Sequence, residues 1–137
     1  VISHNAKTIP DLGVKMDRIV CDVPCSGDGT LRKNRGLMHH WVPHYGLQLH
    51  STQVQIAMRG IALLEVGGLM VYSTCSFNPL EDEAVVSALL QKCGDSIELL
   101  ESASMLEGLR TRQGLTSWEV VDDTGMVFRS LKQAQAR

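Results

Sequence analysis

Two short apolar runs, each passing directly into a cysteine-bearing polar loop, constrain this chain more than any other feature. Asp17, Arg18, Ile19, Val20, Cys21, Asp22 and Val23 form an apolar run bounded by charges and closed by Pro24. That pattern predicts a buried strand over 17–23. The loop Cys25-Ser26-Gly27-Asp28-Gly29-Thr30 follows. Leu69, Met70, Val71 and Tyr72 make a second such run, leading into Ser73-Thr74-Cys75-Ser76. Between the runs, Leu47, Ser51, Val54, Met58, Ile61 and Leu64 recur every three or four residues. This spacing predicts a helix over about 47–65 with those residues on its buried face, stopped by Gly67-Gly68. A strand–helix–strand order makes the two strands parallel and the crossover right-handed. Ligands of such sheets bind beyond the carboxyl ends of the strands. Cys25 and Cys75 therefore belong to one edge, and strands that are neighbours lie roughly 4.8 Å apart.

Downstream, Asn78-Pro79-Leu80-Glu81 carries the marks of a helix start. Asn78 is expected to cap, Pro79 to take the first helical position and Glu81 to close a capping box. The helix should end at Gly94, with a third strand at Ile97-Glu98-Leu99-Leu100. After residue 102 the pattern weakens. Trp118-Glu119-Val120-Val121 and Met126-Val127-Phe128 flank Asp122-Asp123-Thr124-Gly125, which reads as a hairpin. The expected organisation is a catalytic core piece over 1–101 and an extension over 102–137. Val1-Ile2 reads as the cut end of a strand, so the chain is expected to be part of a larger domain.

Of the 137 residues, 44% are hydrophobic and 20% charged, a globular composition. With 13 Lys+Arg against 15 Asp+Glu the formal charge is -2, so bulk charge does not mark a nucleic-acid binder, though a local basic site is compatible with it. No apolar stretch approaches the roughly 20 residues that span a bilayer. The four cysteines suit free thiols in a reducing compartment better than a disulfide framework.

Free cysteines are commonly buried and inert, and that reading stands for Cys21 and Cys93. Cys25 and Cys75 differ because topology places both at equivalent strand ends. Cys75 also precedes a helix start, where backbone amides and the helix dipole favour a thiolate. Asp22 at the strand end suits contact with a base or cofactor, and equally a turn role. Arg32, Lys33 and Arg35 follow the thiol loop, and they serve either as phosphate contacts to RNA or as a solvated face. Gly27-Asp28-Gly29 does not complete a dinucleotide fingerprint, because Arg32 stands where its third glycine would fall. His39, His40 and His44 match no complete zinc ligand set, so no metal is expected.

These residues are familiar as a set. Asp22-Val23-Pro24-Cys25-Ser26-Gly27-Asp28-Gly29-Thr30, with Arg32-Lys33-Asn34, resembles motif IV of the NOP/Sun-domain RNA (cytosine-5) methyltransferases. Tyr72-Ser73-Thr74-Cys75-Ser76-Phe77-Asn78-Pro79-Leu80-Glu81-Asp82-Glu83 resembles their motif VI. Pro-Cys-Ser-Gly-Asp-Gly-Thr is most similar to the eukaryotic nuclear tRNA-methylating branch. The resemblance is strong at 17–35 and 68–86 and weak after 102.

What the resemblance implies is a class I, Rossmann-like α/β methyltransferase fold, of which this chain holds the C-terminal part of the parallel sheet. It implies S-adenosylmethionine as cofactor, RNA and above all tRNA as partner, and no membrane or metal. It implies Cys75 as nucleophile, Cys25 as the group assisting product release, and Asp22 at both cofactor and target base. Asn5 falls where relatives carry an aspartate near the cofactor's adenosine, so a hydrogen bond without charge is expected there. The family's glycine-rich cofactor loop lies upstream and has no counterpart in residues 1–16. The isolated piece is thus expected to be inactive and, with an open sheet edge, to aggregate. The expected residence is intracellular and nuclear. Two other readings compete: a non-catalytic RNA-binding or scaffold domain derived from this fold, and a redox switch through a Cys25–Cys75 disulfide, which a reducing compartment disfavours.

Overall fold

The computed structural model describes residues 1–102, 105–122 and 124–128. Strand β1 (Met16–Asp22) leads through the cysteine loop and two short 3-10 turns into helix α1 (His44–Leu63). Strand β2 (Leu64–Ser73) follows without a linker, and then helix α2 (Glu83–Cys93). Strands β3 (Val120–Val121) and β4 (Val127–Phe128) pair antiparallel around the expected turn.

β1 and β2 pair in parallel, with Ile19 opposite Met70, Cys21 opposite Tyr72 and Asp22 opposite Ser73. The register slips between Met16 and Arg18, which face Leu64 and Leu69. Gly67 accounts for the slip: its φ of 79° is open to glycine but strained for other residues. The glycine pair expected to stop the helix therefore lies inside β2, and the helix ends on its own at Leu63.

The core lies on one face of this two-stranded sheet. Cys21 and Val23 from the β1 side meet Val54 and Ala57 of α1 and Val85 and Leu89 of α2. Both helices serve the same sheet face, so the alternate residues Val20 and Val71 remain exposed at 75% and 58%. The α1 face also differs from the expected one. Its buried residues are Gly46, Gln53, Val54, Ala57 and Leu63, whereas Leu47 and Ser51 are exposed. Small side chains draw the helix close. At Gly60 an added Cβ would stand 3.0 Å from the Met70 sulfur.

Two further expectations change. α2 begins at Glu83 rather than Pro79, and residues 78–82 form a turn in which the Glu81 amide donates to the Asn78 carbonyl. The Asn78 side chain accepts from the Leu80 amide, but the Glu81 side chain leaves the helix axis altogether, and no capping box forms. Residues 97–100 are not a strand: Ile97 packs on the core, while Leu99 and Leu100 are exposed. Among the described residues β1 and β2 pair with each other alone, and 97–100 joins neither open edge.

Leu89, at 4% exposure, anchors α2 to this core. Shortening it by one methylene, Leu89→Val, is expected to cost about 1 kcal/mol. Urea unfolding followed by circular dichroism would measure it.

Candidate functional site

The parallel register delivers both cysteine loops to one edge. The Val23 amide still donates to the Ser73 carbonyl at 3.1 Å, one step beyond the last paired residues. Past that point the loops remain tied. The Gly29 amide donates to the Cys75 carbonyl at 2.9 Å. Asp28 accepts from the Phe77 amide at 3.0 Å and from the Gly29 amide at 3.1 Å. Only glycine suits position 29, because a Cβ there would stand 2.6 Å from the Cys75 carbonyl oxygen.

The result is a thiol pair. Cys25 Sγ and Cys75 Sγ lie 3.2 Å apart, and the Cys75 amide donates to Cys25 Sγ at 3.3 Å. Both cysteines are free, Cys75 exposed and Cys25 half-buried. Burial pushes the Cys25 thiol up from its ordinary value, and the side-chain contact with Cys75 adds to this. Cys25 thus keeps its proton at neutral pH beside an accessible sulfur. Cys21 is buried on the core face, and burial raises its thiol too. Cys93 lies 3.7 Å from the Met58 sulfur, away from the pair.

The other candidates separate into two groups. Asp22, exposed at the end of β1, accepts from the Ser73 hydroxyl at 2.9 Å and so is aimed from the same sheet edge. Arg32, Lys33 and Arg35 are exposed on the turn that follows the thiol loop. Asn5 is elsewhere. Its amide oxygen accepts from the Lys7 amide, capping a 3-10 turn at Ala6–Thr8. It lines a groove of about 830 Å³ along α1 with Lys7, His50, Arg59 and Lys92, and that lining includes none of Asp22, Cys25 and Cys75. The turn is drawn to α1 by Arg59, whose guanidinium donates to the Ile9 carbonyl. Among the described residues, no group of three or more His, Cys, Asp or Glu gathers as a metal ligand set, and no helix is long and apolar enough to cross a membrane.

Three residues at the site carried no expected role there. Gln53 and Glu81 are fully buried beneath the loops. Gln53 could have been noticed as a polar residue between apolar positions of α1, next to Val54 and close to Ala57. Phe77 is 79% exposed two residues after Cys75, and nothing in its loop composition marked it.

A half-buried thiol pushed up from its ordinary value beside an exposed one predicts unequal reactivity. With iodoacetamide at pH 7.5, Cys75 should be alkylated well before Cys25. Cys25 labelling should then climb by about tenfold per pH unit toward alkaline pH, as its thiolate fraction rises. Peptide mass spectrometry reads both rates, and equal rates at neutral pH would contradict this assignment.

A family model described as 16S rRNA methyltransferase RsmB/F matches residues 1–124. The chain is 43% identical over 148 aligned positions to the multisite-specific tRNA:(cytosine-C(5))-methyltransferase trm4b of Schizosaccharomyces pombe, covering 95% of this chain and 22% of that protein. It is 40% identical to the tRNA (cytosine(34)-C(5))-methyltransferase of Drosophila melanogaster, covering 88% of this chain and 17% of the relative. The chain thus spans about a fifth of the length of these curated relatives. A crystal structure of a methyltransferase homolog from Pyrococcus horikoshii superposes with a TM-score of 0.51 at 32% identity, over 63% of this chain and 26% of the other. The parallel α/β arrangement is accordingly that of a methyltransferase. With both cysteine loops inside the matched span, the chain belongs to the RsmB/F methyltransferase family.

Proposed function

We propose that the protein carrying this chain methylates carbon 5 of cytosine in RNA, with tRNA as the substrate class. The observation that carries the proposal is the pair of free thiols, 3.2 Å apart, at the carboxyl edge of two parallel strands. Relatives named as tRNA cytosine-C(5)-methyltransferases support it. Nuclear residence, expected from the resemblance to the eukaryotic tRNA branch, is part of the same proposal.

Carbon 5 of cytosine is a weak nucleophile. Addition of a Cys75 thiolate to carbon 6 makes carbon 5 enamine-like, so one hard step becomes easier ones. Cys75 suits this role because it is the exposed sulfur of the pair. The target base must leave its stack to reach it. Asp22, held by the Ser73 hydroxyl, would accept from the exocyclic amine of the target cytosine and orient the ring for addition. Once carbon 5 carries the methyl group, its proton passes to a solvent base, the C–H electron pair re-forms the carbon 5–carbon 6 double bond, and the Cys75–carbon 6 bond breaks with its own pair returning to sulfur. Cys25, carrying a proton 3.2 Å away, is the donor that steadies the departing thiolate. Arg32, Lys33 and Arg35 would neutralise RNA phosphates beside the thiol loop.

The methyl donor of this reading is S-adenosylmethionine, which when bound supplies an electrophilic sulfonium methyl group. Of the residues expected to hold it, Asp22 stands at the carboxyl end of β1, where ligands of parallel sheets bind, and Asn5 lines the groove along α1 with its amide oxygen capping its own turn.

A covalent trap tests the reaction and the nucleophile together. The active protein is incubated with tRNA containing 5-azacytosine and run on a denaturing gel. A protein–RNA adduct is expected with the unaltered protein and lost with Cys75→Ala. With Cys25→Ala it should persist, since release, not addition, is impaired. tRNA binding with no adduct would favour the scaffold reading instead.

A further inference from the structure

Glu81 is fully buried, and the groups that reach its carboxylate are neutral donors. One oxygen accepts from the Ser26 amide at 2.8 Å and from Gln53 Nε2 at 3.0 Å. The other accepts from the Ser26 hydroxyl at 2.5 Å and the Ser76 hydroxyl at 2.8 Å. A carboxylate has about four lone-pair sites, and these donors fill them. Burying a carboxylate is strongly unfavourable unless such partners surround it. A core that needed only bulk would have an apolar residue here.

The identity of the partners shows what the carboxylate is for. Ser26 directly follows Cys25, and Ser76 directly follows Cys75. Gln53 also donates to the carbonyl of Pro24, the residue just before Cys25, at 3.0 Å. Glu81 therefore grips both cysteine loops one residue from their sulfurs and fastens them to α1. Its own backbone is held in turn. The Tyr72 hydroxyl, kept protonated by burial, donates to the Glu81 carbonyl at 2.6 Å. Gly46 leaves room for the cluster, since a Cβ there would collide with the Asn78 amide and stand 3.2 Å from Glu81 Oε2.

We propose that Glu81 is a positioning residue, whose buried carboxylate sets the separation of the Cys25 and Cys75 sulfurs by tying Ser26, Ser76 and Gln53 to one point. Its catalytic consequence rests on the cytosine-5 methyltransferase reading, but the geometric claim does not. Glu81→Gln keeps the shape and replaces one acceptor oxygen by a donor. The Ser76 hydroxyl already accepts from the Asn78 amide, so its proton loses its acceptor. The loops then part, and misplacement of reacting groups by about 1 Å can reduce a rate by around 100-fold.

The test uses the protein carrying this chain and two readouts. The first is cross-linking of Cys25 to Cys75 by a fluorogenic bis-alkylating bimane, which joins only neighbouring thiols, with the linked peptides identified by mass spectrometry. The second is kcat and KM for tRNA methylation. E81Q should lose at least fivefold in cross-linking rate and at least tenfold in kcat, with KM for tRNA within twofold. Leu89→Val, which loosens the core away from these loops, should retain both. If E81Q does not fold, Ser26→Ala and Ser76→Ala take its place, each freeing one loop, with the same expected losses. Unchanged cross-linking in these variants overturns the proposal, as does an equal loss in Leu89→Val. A protein that cross-links normally but never methylates tRNA refutes the methyltransferase reading alone, and E81Q cross-linking still decides the role of Glu81.

Discussion

β1 and β2 run in the same direction and leave the sheet at the same step, with Asp22 opposite Ser73. Everything at the site descends from that pairing. Had the strands been antiparallel, the two cysteine loops would have emerged at opposite ends of the sheet. Because they are parallel, Cys25 and Cys75 reach one edge although the whole of α1 and β2 separates them in the chain. The backbone ladder continues past the strands through the bonds from Val23 to Ser73 and from Gly29 to Cys75. It carries the loops close, and the side chains of Asp28 and Glu81 then join them.

The two helices have different relations to this edge. α1 contributes little sequence signal for function, yet through Gln53 it supplies a donor that reaches both Pro24 and Glu81. Its small residues let the sheet approach. α2 supplies core through Val85 and Leu89, and the turn before it delivers Glu81. The same turn places Asp82 against Thr74, whose hydroxyl donates at 2.7 Å and in turn accepts the Ser76 amide. Burial raises the Asp82 carboxyl, and the Thr74 hydroxyl works against that rise. Both sides of the Cys75 loop are therefore anchored on carboxylates from one turn.

Strands, helix order and the pairing of Cys25 with Cys75 were legible because hydrophobic periodicity and strand-end placement are local patterns with a topological consequence. The start of α2 was misread for an instructive reason. Asn78-Pro79-Leu80-Glu81 has the composition of a capping box, but a glutamate side chain goes where donors are available. Here Ser26, Ser76 and Gln53 offer more than the Asn78 amide would. Gly67-Gly68 was misread likewise: a glycine pair marks a helix stop or a strand irregularity, and its neighbours in space decide which. The strand expected at 97–100 has the right residues, but among the described residues it joins no ladder. Asn5, expected from the resemblance near the cofactor, has its local placement from its own Asx turn and from the Arg59–Ile9 bond, which set it along α1.

By itself the sequence determined the parallel α/β frame, the two thiols at one edge and the family, because each follows from local patterns along the chain. Only the tertiary structure decided that the sulfurs lie 3.2 Å apart, that burial pushes the Cys25 thiol up, and that Glu81 is the junction of both loops. These depend on distances between segments remote in sequence and on the withdrawal of water from groups that periodicity cannot rank. A buried carboxylate takes its role from the donors that surround it, and those donors assemble only when the chain folds.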